Sequence, residues 1–344
     1  MSVANVHLFL AEPDVTPFLA DEIRRAAAGV TQREIEGVGI GVDADMLGCR
    51  LAFARQTLPD AVEVGAVSIN AWADRIIEAV AGVFPDGDPW RLHIWPGYGV
   101  GRAGENRCEL IRAAVVERLK KRRRHLLRSL EESETVFDEK TSLAQCFLSA
   151  PDAGWLSACR APDLNAWRHL VACFPRGHTP WEEDKSAPSR AFAKLVEAEA
   201  RMGRRIEKGE TCVDLGAAPG SWSYVALQRG ARVIAVDRSE LREDLMRNPG
   251  LRLEIADAFK FRPERVVDWL VCDVIAAPQR SIDLLLEWLR ERRMRNFVVT
   301  IKFKGFVEYG VLETLKRDAP SLCADFYLTR LCANKNEVCA FGTV

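Results

Sequence analysis

None of the ten cysteines forms a Cys-x-x-Cys pair or stands in a histidine pattern that would hold zinc, so they read as reduced thiols with no metal expected. No apolar run approaches the roughly 20 residues needed to span a bilayer, so no membrane is expected. The opening MSVANVHLFLAEP lacks a basic leader with an apolar core and cleavage site, which makes the cytoplasm the expected location. An excess of either charge is also missing: 48 lysines and arginines face 49 aspartates and glutamates, for a net charge of −1. That balance hides clustering, so attraction to nucleic acid has to be judged segment by segment.

The 344 residues, 48% hydrophobic and 28% charged, suffice for two or three globular domains at about 100–200 residues each. In the first hundred, strand patterns at 6–11, 33–37, 50–55 and 91–95 and helical patterns at 15–28 and 70–83 give the order β-α-β-β-α-β. That is the order of an α+β ferredoxin-like domain over 1–100. A glycine-containing turn at 96–101 leads into a helix expected over 105–130. There Arg118, Lys120, Lys121, Arg122, Arg123, Arg124 and Arg128 put seven positive charges into eleven residues. A solvated surface neutralised by Glu131, Glu132 and Glu134 would explain them. So would a surface where Lys120, Lys121, Arg122, Arg123, Arg124 and Arg128 grip RNA phosphates without reading sequence. Strands at 143–150 and 154–160 complete a region over 101–175. The proline-containing stretch 162–188 reads as a connection to a third domain, 176–344.

The strongest signal is the stretch Thr211-Cys-Val-Asp214-Leu-Gly216-Ala-Ala218-Pro219-Gly220-Ser221-Trp222-Ser223. A short apolar strand enters a glycine turn and then a helix, a geometry that brings backbone N–H groups close to a ligand. The next strand ends in Asp237, seventeen residues after Gly220 (237 − 220), placed to accept hydrogen bonds from a ribose diol. A bare glycine turn with a downstream acid could equally serve NAD or be an ordinary strand-to-helix turn. Here Pro219 removes an N–H that a pyrophosphate would use, and Asp214 would repel a pyrophosphate but suits an ammonium group. A positively charged amino acid joined to a nucleoside, S-adenosylmethionine, satisfies both. Asp257, closing a third strand at 251–255, could take the adenine amino group, although an aspartate there also suits a simple turn.

The strand at 267–273 ends in Asp273, at the carboxyl edge where open parallel sheets bind ligands. The strand at 297–303 carries Lys302, costly in an apolar stretch unless it faces a polar cleft. Glu337 begins a last strand, 337–341. If that strand returns antiparallel after 326–331, its start lies at the same edge.

Five pieces in order, Ser189-Arg190-Ala191-x-x-Lys194-Leu195, Asp-Leu-Gly-Ala-Ala-Pro-Gly-Ser-Trp-Ser, Val-Cys-Asp273, Ile-Lys302-Phe and Asn336-Glu337-Val338, resemble the FtsJ-type ribose 2′-O-methyltransferases over about 186–342. The resemblance implies a Rossmann-like sheet of seven strands with an antiparallel last strand and S-adenosylmethionine as cofactor. It also implies a catalytic tetrad of Lys194, Asp273, Lys302 and Glu337, and RNA as partner. The Ala-Pro-Ser-Arg phrase and Asp257-Ala-Phe-Lys-Phe261 are most similar to members acting on a cytidine of 23S ribosomal RNA, whose N-terminal part includes a THUMP RNA-binding domain. By that likeness 101–175 is a THUMP-type region. Where the family often has a second glycine this chain has Ser221, which narrows the space beside the cofactor. Lys304, two residues on and on the same strand face, competes with Lys302 for its place in the tetrad.

On this reading Lys302 accepts the proton of the 2′-hydroxyl as a neutral amine. A base-methylating RNA enzyme would share the cofactor half. However, no Asn/Asp-Pro-Pro-Tyr/Phe segment follows the fourth strand, and Cys272-Asp273 is not the Pro-Cys nucleophile of cytosine C5 enzymes. A non-catalytic RNA-binding or ribosome-assembly protein would keep the basic helix but need no reactive lysine.

Overall fold

The computed structural model describes residues 5–35, 38–84, 87–99, 102–132 and 135–344, apart from the side chains of 306–308. The chain divides into two compact units, Met1–His178 and Thr179–Val344. The ends of the 33–37 strand and the 96–101 turn, and Glu134, lie outside the described residues. Among the described residues no helix is long and apolar enough to cross a membrane.

The first unit contains β1 (Val6–Leu10), α1 (Thr16–Ala26), β2 (Gln32–Ile35), β3 (Gly39–Val42), β4 (Gln56–Gly65), α2 (Ile69–Val83), β5 (Trp90–Pro96), α3 (Ala103–Arg122), α4 (Arg124–Ser129), β6 (Ser142–Leu148), β7 (Ala153–Cys159) and α5 (Ala161–Trp167). Its seven strands form one sheet in the order β2-β3-β1-β4-β7-β6-β5. Long β4 joins the two parts: Gln56–Ala61 pairs with β1 and Val62–Gly65 with β7. A boundary at residue 100 therefore does not divide this unit, because β5 pairs with β6 across it. The helices α2 and α3 bury one stripe each, Trp72, Ala73, Ile76 and Val80 on one and Cys108, Ile111, Val115 and Leu119 on the other.

Two expectations fail here for identifiable reasons. Residues 50–55 are not a strand. Their apolar side chains are buried, but the Ala52 and Phe53 amides donate to the buried Glu22 carboxylate at 2.9 and 3.0 Å, not to a neighbouring strand. The strand role passes to β3, disguised by its two glycines, and to β4, which carries Pro59 near a register shift. The helix expected over 105–130 breaks at Arg123 (φ −144°, ψ 55°). The break lets Leu126 enter the core, where its carbonyl accepts the Trp90 indole N–H at 2.8 Å. Arg118 is tied to Asp74 and Asn70 at 2.6 and 3.0 Å and Lys120 to Glu117 at 2.9 Å, and Lys120, Lys121, Arg122, Arg123, Arg124 and Arg128 are exposed. Glu131 is paired with Arg91.

The second unit contains α6 (Phe192–Met202), β8 (Thr211–Leu215), α7 (Ser221–Gln228), β9 (Arg232–Asp237), α8 (Glu243–Met246), β10 (Leu251–Ile255), β11 (Val267–Cys272), α9 (Pro278–Arg290), β12 (Met294–Lys302), α10 (Leu312–Asp318), β13 (Asp325–Thr329) and β14 (Glu337–Thr343). The sheet order is β10-β9-β8-β11-β12-β14-β13. Strands β8 to β12 run parallel, and β14 is antiparallel to both of its neighbours. The central strands are buried along nearly their whole length because both faces are covered, as parallel sheets require. The order of strands reverses between β8 and β11, which opens a crevice at their carboxyl ends.

Candidate active site

The turn after β8 is shaped by two glycines that no other residue replaces without strain. Gly216 has φ +73°, and a Cβ there would lie 2.8 Å from the Val274 Cβ. Gly220 has φ +108°, and a Cβ there would meet Leu245 Cδ1 at 2.4 Å. Two carboxylates then hold the turn. Asp214 Oδ2 accepts from the Ser223 N–H at 2.9 Å and hydroxyl at 2.7 Å, so it closes the first turn of α7. Asp237, ending β9, accepts from the Ala218 N–H at 3.0 Å and the Ser239 N–H at 2.9 Å.

Together these residues enclose a cavity of about 380 Å³ at the switch point, inside the roughly 300–1,000 Å³ range of small-molecule sites. Of the ten expected cofactor residues, Asp214, Gly216, Ala218, Pro219, Ser221, Trp222, Asp237 and Asp273 line it; Gly220 and Asp257 do not. Gly220 serves the entry into α7. The Asp257 carboxylate is taken by the Phe259 N–H and by Arg238, both at 3.0 Å. Trp222 is almost fully buried, and its indole N–H donates to the Ala191 carbonyl at 2.7 Å, which fixes α7 against the chain entering α6. Ser221 forms a 2.7 Å hydroxyl pair with Ser189, and both side chains line the cavity. Gly216→Ala combines a left-handed backbone, which costs an L side chain roughly 1–2 kcal/mol, with a collision against Val274. Cofactor affinity is expected to fall at least about tenfold with the fold retained, as checked by calorimetric titration and thermal melting.

Burial pushes the Asp214 carboxyl up to about 7, against the Ser223 hydrogen bonds that favour its ionised form. Between the ordinary carboxyl value of 3.8 and about 7, the folded chain therefore holds a proton that the unfolded chain has released. This group's contribution to stability falls as pH rises through that window. Asp214→Asn keeps an acceptor for Ser223 and removes the titration. Melting curves of the two proteins without cofactor are expected to diverge in the variant's favour from about pH 5 to 7; parallel curves would refute the assignment.

Beyond Asp273 lies an ion cluster built from four separate elements. Lys194 Nζ, on α6, lies 2.7 and 2.8 Å from the two Asp273 carboxylate oxygens and 3.1 Å from Glu337 Oε1. Lys302 Nζ, at the end of β12, donates to the Asp273 main-chain carbonyl at 2.6 Å and lies 3.1 Å from Asp273 Oδ1. Lys302 and Glu337 face each other in the β12–β14 register. All four expected tetrad residues thus meet. Lys304 lies past the strand end, so Lys302 holds the place beside Asp273. Burial works to lower the Lys194 pKa, but Asp273 and Glu337 outweigh it and the net direction is up, so Lys194 is a fixed cation.

A second cavity of about 980 Å³ borders the cluster, lined among others by Trp181, Arg190, Lys194, Lys304, Lys335 and Glu337. Ser189, Ala191, Ile275 and Lys302 line both cavities. Trp181 and Ile275 were not legible as site residues: the tryptophan sits in what reads as a connection, and the isoleucine in what reads as the tail of an apolar strand. Ser189 did carry a signal, the Ser-Arg-Ala phrase.

The second unit's strand order, with one reversed strand, is that of a Rossmann-like methyltransferase. Residues 187–307 match the FtsJ-like methyltransferase family, so this unit carries an FtsJ-like methyltransferase domain. The chain is 42% identical over 132 residues to Ribosomal RNA large subunit methyltransferase M of Halorhodospira halophila, covering 38% of this chain and 39% of that protein. It is 34% identical over 254 residues to the protein of the same name from Alkalilimnicola ehrlichii, covering 70% and 63%. The matched stretch spans less than two thirds of either relative. Among solved structures, TrmN from Thermus thermophilus aligns over 98% of this chain and 100% of its own at 12% identity and a TM-score of 0.33, too slight a likeness to bear on the chemistry.

Proposed function

We propose that this protein transfers a methyl group from S-adenosylmethionine to a ribose 2′-hydroxyl of RNA in the cytoplasm, with a cytidine of 23S ribosomal RNA as acceptor. The observation that carries this is the position of Lys302, whose side chain lines both cavities while Asp273 holds it.

The smaller cavity suits the donor. Even with Asp214 held partly protonated by burial, Asp237 and Asp273 outnumber Lys302 among its ionisable wall residues, which favours a ligand carrying ammonium and sulfonium charges over a pyrophosphate. When bound, S-adenosylmethionine supplies an electrophilic methyl group on sulfur. The protein's own work is to orient the hydroxyl in line with that methyl and to remove its proton. Lys302 Nζ, acting as the neutral amine, takes the proton from the side of the larger cavity. Asp273 orients it through one main-chain and one carboxylate oxygen, and Lys194, locked by Glu337, keeps the Asp273 carboxylate from turning away.

The full chain is to be incubated with methyl-labelled S-adenosylmethionine and an unmodified 23S ribosomal RNA transcript. Alkaline cleavage of RNA needs a free 2′-hydroxyl, so label is expected in alkali-resistant dinucleotides. Label released in mononucleotides would mean base methylation. Bound cofactor with no transfer to any RNA would mean a non-catalytic binding protein.

For the first unit, the exposed Lys120, Lys121, Arg122, Arg123, Arg124 and Arg128 support a phosphate-contacting role within an RNA-binding region of THUMP type. Replacing Lys120, Lys121 and Arg122 with glutamine is expected to weaken binding to all RNA sequences alike. The slope of log affinity against log salt should become shallower by roughly 2–3, at about 0.7–0.9 for each phosphate no longer neutralised. An unchanged slope would return these residues to ordinary solvated surface.

A further inference from the structure

The larger cavity has apolar walls that the transfer chemistry does not use. Half-buried Trp181 stands edge-on against the buried ring of Phe192, with centroids 5.9 Å apart and planes at 87°. Over its face lies the Arg190 guanidinium, 5.7 Å from the centroid. The pair offers a planar cation backed by an aromatic ring, the kind of surface on which unstacked bases lie. Ile275, two residues past Asp273, leaves 88% of its surface exposed and lines both cavities. Lys302, which the 2′-hydroxyl must reach, is only 22% exposed on the shared wall. A sugar brought to that depth carries its base into the same cavity, and a paired base would bring a second strand with it.

We propose that this cavity takes the acceptor nucleotide with its base out of the stack, Trp181 with Arg190 and Ile275 providing the surfaces that hold the base. The acceptor RNA is therefore single-stranded or looped at the modified position, not duplex. This rests on the methyl-transfer reading above and assigns Trp181 and Ile275 as positioning residues for the acceptor.

Two variants test it in the full chain. Trp181→Phe keeps a ring against Phe192 but removes the indole surface. Ile275→Ser changes a side chain that lies outside the core, so its melting temperature should match the parent's. Each is expected to raise KM for the RNA substrate by about threefold or more, less than the loss of a whole base–aromatic stack because phenylalanine keeps a ring and isoleucine offers only an apolar contact. Each should leave kcat within about twofold, and Trp181→Phe, at a residue that lines only the larger cavity, should leave the Kd for S-adenosylmethionine within about twofold. Separately, a single-stranded oligocytidylate of about ten nucleotides, near the site size of a stacking groove, is expected to quench the parent's tryptophan fluorescence. Trp181→Phe should lose that quench, and the same strand paired with oligoguanylate should give none. Unchanged KM in both variants, or an equal quench by the duplex, overturns the proposal. If the parent methylates no 2′-hydroxyl, the reading beneath it is lost, but the fluorescence comparison still decides whether a single strand docks on Trp181.

Discussion

Lys302→Ala is expected to lower kcat by about 10²–10⁴-fold, the usual contribution of a positioned proton acceptor, while S-adenosylmethionine binds within a few-fold of its parental affinity. The split follows from placement. Lys302 is one wall residue of the donor cavity, whose acids and glycine turn are untouched by the change, but it is the basic group shared with the acceptor side. Lys302→Arg sharpens the test, because a guanidinium keeps hydrogen-bond donors toward Asp273 yet stays protonated at any working pH and so cannot take the proton. Single-turnover rates should be as low for arginine as for alanine. If the arginine enzyme retains a large part of the parental rate, Lys302 orients the hydroxyl and the proton leaves by another route.

Lys194→Met should have the largest effect on stability. The side chain is 6% exposed and balances two carboxylates, of which Asp273 is 18% and Glu337 10% exposed. Removing one partner of a buried ion cluster leaves uncompensated charge and costs about 3–5 kcal/mol. Urea denaturation at neutral pH should show that loss, and adding Glu337→Gln should recover part of it. An equal or larger loss in the double variant would mean that Glu337 matters for something other than Lys194. Because the net Lys194 pKa is raised above 10.5, its contribution is fully present below the value in the unfolded chain. The contribution is lost as pH rises through the folded value. The stability gap between parent and variant should thus be constant from neutral pH to about 10 and close only above that.

Much of this arrangement was legible because its signals are local. The strand-turn-helix at 211–223 announces itself by glycine and proline where the backbone must turn sharply, and each edge acid closes an apolar strand. The meeting of Lys194, Asp273, Lys302 and Glu337 was legible only through the order of the motifs, since no local pattern links residues 143 positions apart. The first unit was read less well. Its 50–55 segment has the composition of a strand, but its backbone partner is a buried carboxylate from α1, and a long-range partner of that kind leaves no periodicity in the sequence. Strand β3 failed in the opposite direction, with glycines where a strand usually shows branched residues. Trp181 and Ile275 were missed because an apolar side chain looks the same in sequence whether it faces a core or a cleft.

The reversed direction of β14 bears on how the centre assembles. The donor pocket draws mainly on neighbouring strands and turns, whereas Glu337 reaches Lys194 only when β14 has zipped against β12 in the correct alignment. A slip of one residue would turn Glu337 to the opposite face of the sheet. On the proposed function, a misaligned C-terminal hairpin would yield a protein that still captures a nucleoside donor but has no turnover, so catalytic competence would report on the completion of folding in this unit.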